Sequence, residues 1–102
     1  MSVLSVNKNN FNELLNSTKP VLLDFYADWC GPCQMVSPIV HEIAEEYPEY
    51  IVGKINVDEE MELAQRFSVV SIPLLVVLKD GKVASQAVGF RQKEQILDML
   101  EG

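Results

Sequence analysis

Soft metal ligands are scarce in this 102-residue chain, which has two cysteines and one histidine. Structural zinc takes four ligands, so one copy of the chain falls short of closing such a site. Basic side chains are scarce as well: eight Lys and Arg stand against fifteen Asp and Glu, for a net charge of −7. The eight are scattered rather than gathered into a stripe, which argues against binding nucleic acid or an anionic membrane surface. No apolar run approaches the roughly 18 residues that suggest a membrane span. The stretch Met1 to Asn7 has no basic n-region and no long apolar h-region, so no secretory signal is expected. No Gly-rich phosphate loop is present, and no tightly bound nucleotide is expected. Repeats, linkers and low-complexity segments are missing too, and the length bounds the chain to one domain over residues 1–102.

What is present is organised around Ala27-Asp28-Trp29-Cys30-Gly31-Pro32-Cys33. The apolar run Val21 to Ala27 comes before it and reads as a buried strand. After it Val36, Ile39, Val40, Ile43, Ala44 and Tyr47 recur at helical spacing, which predicts a helix over about 33–47, kinked at Pro38 and ended by Pro48. The cysteines therefore sit where a strand ends and a helix begins. Backbone N–H groups there lack partners and the helix dipole is positive. Such a place stabilises a thiolate, the nucleophile of sulfur exchange. Pro32 suits a first helical turn, and Gly31-Pro32 keeps the link small, which should leave both sulfurs accessible from one side.

Two plainer roles for the pair compete with redox chemistry. A disulfide staple over so short a loop is worth roughly 2 kcal/mol in the chain-entropy model, against about 4.7 for a hundred-residue loop. With nearly half its residues apolar, the chain can build a core without one. Metal binding lacks ligands, and His41 reads as a surface residue of the same helix. Redox chemistry is favoured over both. A redox-labile pair in a chain without an export signal suggests the cytoplasm.

The remaining elements follow in order. Val3–Val6 reads as a short strand, and Phe11, Leu14 and Leu15 mark a short helix after the Asn7–Asn10 turn. Residues 51–57 read as a strand, 59–67 as a helix and 74–79 as a strand. Asp80-Gly81 is a hairpin turn into a strand over 83–88, and 92–101 is a last helix with Ile96, Leu97 and Leu100 inward. Alternating elements with a late hairpin predict an α/β fold, a mixed sheet with helices on both faces.

Asp24 is out of place in a buried strand. Ionised and unpaired it would cost several kcal/mol, so its pKa should rise. A carboxyl raised in this way beside a thiol pair suits proton transfer. A buried Asp satisfied by hydrogen bonds alone is the alternative.

The run Val21 to Cys33 resembles the thioredoxin family. The likeness extends to Lys54, Ser71-Ile72-Pro73, Asp80-Gly81 and Gly89. It implies the thioredoxin fold, a central mixed five-stranded sheet flanked by four helices. It also implies a monomeric protein-disulfide reductase with a redox-active Cys30–Cys33 disulfide and no bound cofactor. Its partners would be disulfide-containing protein substrates and an NADPH-dependent thioredoxin reductase. By the same resemblance Asp24 takes the proton of Cys33, Lys54 moderates Asp24, and Pro73 is cis and opposite the cysteines. Trp29, Gly31, Pro32, Ile72, Pro73, Val88 and Gly89 would line the substrate groove, with the Ile72 backbone pairing to an extended segment. Leu74, where many thioredoxins have Thr, and Tyr26, where Trp is common, depart from the pattern. Two other functions remain open: an oxidase or isomerase of the same fold, against which Gly31-Pro32 speaks, and a non-enzymatic stabilising subunit.

Overall fold

A computed structural model describes residues 3–102. Among them five strands form one mixed sheet in the order β1-β3-β2-β4-β5, with four helices. The strands are β1 (Leu4–Ser5), β2 (Val21–Tyr26), β3 (Ile51–Asn56), β4 (Leu74–Lys79) and β5 (Lys82–Val88). The helices are α1 (Phe11–Leu15), α2 (Gly31–Glu46), α3 (Met61–Arg66) and α4 (Lys93–Glu101). β2 lies at the centre, parallel to β3 and antiparallel to β4. A strand covered on both faces needs apolar side chains at successive positions, and Val21 to Phe25 are all buried.

The side-chain alternation of β2 divides two cores. Val21, Leu23 and Phe25 pack with Phe11 and Leu14 of α1 and Leu63 of α3. Leu22 faces the other way, with Val36, Val40 and Ile43 of α2 and Ile96 and Leu100 of α4. Each such fully buried side chain contributes roughly 1.5–3 kcal/mol. Asp24 shares its face with Leu22, so period two places it beneath α2. Gly53 of β3 has no room for a side chain, because a Cβ there would meet Val6 Cγ2 at 2.5 Å.

The predicted elements are all present, with shifted ends. β1 is only two residues long, because it pairs with β3 alone through Leu4 and Ser5. α2 starts at Gly31 rather than near 33, since Cys30 itself is the N-cap, and it runs on through Pro38 to Glu46. Tyr47, assigned to the helix face, is the C-cap. α3 is shorter than expected, because Asp58 to Glu60 form a turn on Asn56, whose carbonyl accepts from the N–H groups of Glu59 and Glu60. His41 is exposed, as expected.

The β4–β5 hairpin turns through Asp80 and Gly81, both at positive φ (53° and 77°). At Gly81 a Cβ would also stand 2.8 Å from the Leu15 carbonyl oxygen at the end of α1. Replacement of Gly81 by Ala should therefore destabilise the protein by roughly 1–3 kcal/mol through a backbone clash and an unfavourable φ. Denaturant unfolding checks this; an unchanged midpoint would show that the turn relaxes freely.

Candidate active site

Cys30 occupies the N-cap of α2 in an extended conformation, and its Sγ accepts the Cys33 N–H at 3.2 Å. An N-cap normally offers a side-chain oxygen to the free N–H groups of the first turn, and here a sulfur fills that place. Gly31 and Pro32 take the first two helical positions and cost no hydrogen bond there. One turn of helix brings Cys33 back to Cys30, with Cα atoms 5.3 Å apart, and the two sulfurs are joined as a disulfide. Ala27 O accepts the Cys30 N–H at 3.2 Å and fixes the loop from β2. Both cysteines are less accessible than expected, with 5% and 3% of their surfaces exposed. They pack with Ala27, and Tyr26, Val57 and Ile72 close around them.

The Ile72–Pro73 peptide is cis, as the family resemblance implies. Ile72 O lies 3.8 Å from Cys30 Sγ, so this loop stands directly against the sulfur. Gly89, at φ 91°, donates its N–H to Pro73 O at 2.8 Å and draws the end of β5 to the same loop. Gly31, Pro32, Val88 and Trp29 are exposed around this centre, and Ile72 is half-buried. Trp29 is not a core residue: it is 72% exposed, and its indole Nε1 donates to Asp58 Oδ2 at 2.8 Å.

On the other side of the sulfurs a cavity of about 180 Å³ is lined by Asp24, Tyr26, Cys33, Ser37 and Lys54, among others. Asp24 and Lys54 are register partners across the parallel β2–β3 pair. Asp24 is 4% exposed, and its Oδ1 has no hydrogen-bond partner among the described residues. Burial pushes its carboxyl up from 3.8 to about 7, against the pull of the Lys54 ammonium. The Lys54 Nζ also stands 6.0 Å from the centre of the Tyr26 ring. Thus the expected residues come together in one place: two sulfurs at a helix N-terminus, a titratable carboxyl facing the cavity that Cys33 lines, and an apolar exposed rim.

Sequence reasoning passes over Tyr26 as a cavity wall, and passes over Asn56 and Asp58 altogether. Asn56 and Asp58 follow the apolar stretch of β3 at its carboxyl end, beside the carboxyl end of β2 where the cysteines lie. Ligand-handling groups in open α/β sheets gather at such strand ends, and that is the available signal. No group of three or more His, Cys, Asp or Glu able to hold a metal occurs among the described residues. Among them, too, no helix is long and apolar enough to cross a membrane.

Comparison with known proteins agrees with this geometry. The family model for thioredoxin matches residues 2–102. A thioredoxin of Alicyclobacillus acidocaldarius is 40% identical over 96 residues, covering 93% of this chain and 91% of the relative. A thioredoxin of Mycobacterium bovis is 48% identical over 86 residues, or 83% of this chain and 74% of the relative. Among solved structures, a mutant thioredoxin from Halobacterium salinarum NRC-1 superposes with a TM-score of 0.91 at 38% identity, covering 98% of this chain and 88% of that one. Fold and cysteine pair thus define a thiol–disulfide oxidoreductase. The chain belongs to the thioredoxin family.

The Asp24 carboxyl sets a pH dependence whose sign is determined by its folded-state value. The folded form holds a proton up to about pH 7 that the unfolded chain gives up near 3.8. Stability is therefore lost as pH rises between these values, by about 4 kcal/mol in all, and the loss levels off above the folded pKa. Asp24→Asn should remove this slope. Measured by denaturant unfolding, the stability of the variant relative to the parent should climb from pH 4 to pH 7 and then stay flat. A constant difference across that range would show that Asp24 does not titrate abnormally.

Proposed function

We propose that the protein is a general protein-disulfide reductase in which Cys30 attacks and Cys33 resolves. The observation that carries this reading is the capping of α2 by the Cys30 sulfur, 3.2 Å from the Cys33 N–H. In the reduced protein that N–H and the helix dipole favour charge on Cys30 Sγ. The Cys30 thiolate attacks one sulfur of a substrate disulfide, forms a mixed disulfide and expels one substrate thiolate. Cys33 gives its proton to the Asp24 carboxylate and attacks Cys30 Sγ. The Cys30–Cys33 bond forms, the second substrate thiolate leaves, and two electrons have passed from the dithiol to the substrate. A carboxyl with a pKa of about 7 is matched to accepting and returning a proton near neutral pH. Lys54, opposite it in register, keeps that value from rising further.

Trp29, Gly31, Pro32, Ile72, Pro73, Val88 and Gly89 receive the substrate segment. The proximity of Ile72 O to Cys30 and the exposure of Trp29 and Val88 support this assignment. The oxidised pair is recharged by two electrons from NADPH through a thioredoxin reductase. The dithiol itself is the redox group and no other cofactor is bound. We further infer a single-domain cytoplasmic monomer over residues 1–102 that engages neither nucleic acid nor membrane, in keeping with the net charge of −7.

Trapping separates the two sulfur roles. Cys33→Ser, reduced and mixed with a protein disulfide such as insulin, should accumulate a covalent complex on a non-reducing gel, because nothing resolves it. Cys30→Ser should trap little. Equal trapping by both variants would reverse or abolish the assignment.

A further inference from the structure

The Trp29 indole is not held by the cysteine loop alone. Its Nε1 donates to Asp58 Oδ2 at 2.8 Å. The Asp58 backbone N–H in turn donates to Asn56 Oδ1 at 2.9 Å. Asn56 is also the register partner of Tyr26 across the β2–β3 pair, and against the larger effect of burial, which raises the Tyr26 pKa, its side chain favours the charged form of the phenol. Tyr26 walls the cavity that holds Asp24, Cys33 and Lys54, and its ring faces the Lys54 ammonium at 6.0 Å. Among the described residues Asn56 is one of two buried polar side chains, with 8% of its surface exposed. Its placement follows from the sheet, because Tyr26 and Asn56 are register partners one pleat beyond Asp24 and Lys54. A chain of contacts therefore runs from the cavity beneath Cys33 to the exposed ring beside Cys30.

We infer that Asn56 is a positioning residue that ties the Trp29 ring to the Tyr26 wall of the cavity, so that the substrate-facing side and the proton-handling side of the dithiol are held as one unit. The amide suits the task because it offers both a donor and an acceptor. A buried, satisfied polar group of this kind enforces one arrangement, since each lost partner leaves another unpaired. With Asn56 in place the Asp58 turn has a fixed conformation, and the indole has a fixed carboxylate to bond. Without it the indole is free to leave the rim. This inference rests on the proposed role of Trp29 at the substrate face.

The test uses the full chain and its sole tryptophan, whose indole N–H gives one resonance in a nitrogen–proton spectrum. Asp58→Ala, which breaks the bond to the ring directly, should shift that resonance and slow insulin reduction by about fivefold, the equivalent of one hydrogen bond. Asn56→Ala should do the same. Tyr26→Phe keeps the ring and loses the phenol, so it should fold even where Asn56→Ala does not. Although Tyr26 is not bonded to Trp29, Tyr26→Phe should shift the indole resonance and slow reduction at least twofold. Combined with Asp58→Ala it should add nothing further. An indole unmoved by Tyr26→Phe, or losses that multiply in the double variant, would overturn the inference. A shifted indole with an unchanged rate would overturn it as well, and would leave the sulfur roles standing, because trapping by Cys33→Ser depends on the cysteines alone.

Discussion

The cap that the Cys30 sulfur places on α2 is the contact on which the site depends. It requires β2 to end just before Cys30, so that Sγ faces the free N–H groups of the first turn. It requires Cys33 to stand one turn in, so that its own N–H is the donor. In the mechanism proposed above it is also what would favour the thiolate of a reduced Cys30, since the donors that satisfy a cap stabilise negative charge. The cores on both faces of the sheet hold β2 and α2 in the relation that makes this contact possible.

Against that gain stands the cost of Asp24. A carboxyl buried beside Leu22 and Leu23, with one oxygen unpartnered among the described residues, opposes the packing of its own strand. Folding tolerates it because Val21, Leu22, Leu23 and Phe25 each contribute roughly 1.5–3 kcal/mol by burial, and because near neutral pH the group is partly protonated. Local conflict with the fold concentrates at sites that do chemistry, and here the conflict lies next to the cavity that Cys33 lines. Lys54 belongs to the same compromise. It stands near enough to lower the Asp24 pKa, but burial remains the larger effect.

Much of this is legible in the sequence, and the parts that are not share a cause. The buried run of β2, the helical spacing after Cys33 and the Asp80-Gly81 turn are local patterns, and each produces its element. Asp24 is visible as a charge among apolar neighbours. The start of α2 lies two residues before the point that periodicity predicts, because Gly31 and Pro32 have no side-chain periodicity to read, although Pro32 by its chemistry suits the first turn it occupies. α3 is shorter than its pattern because the acidic stretch Asp58 to Glu60, which suits a helix start, is claimed instead by a turn on Asn56. The significance of Asn56, Asp58 and Tyr26 lies in the parallel register of β2 with β3 and in a turn that returns toward Trp29. Neither exists until the sheet is assembled, so neither leaves a local pattern.

The redox equilibrium of the Cys30–Cys33 pair with glutathione tests the central claim most directly. Trp29 fluorescence reports it, since the sole tryptophan adjoins Cys30. A reductant should show a potential near about −270 mV, a value carried over from thioredoxins as a class. A value of about −120 to −180 mV would mark an oxidant or isomerase, and would contradict the flow of electrons from the dithiol to its substrate.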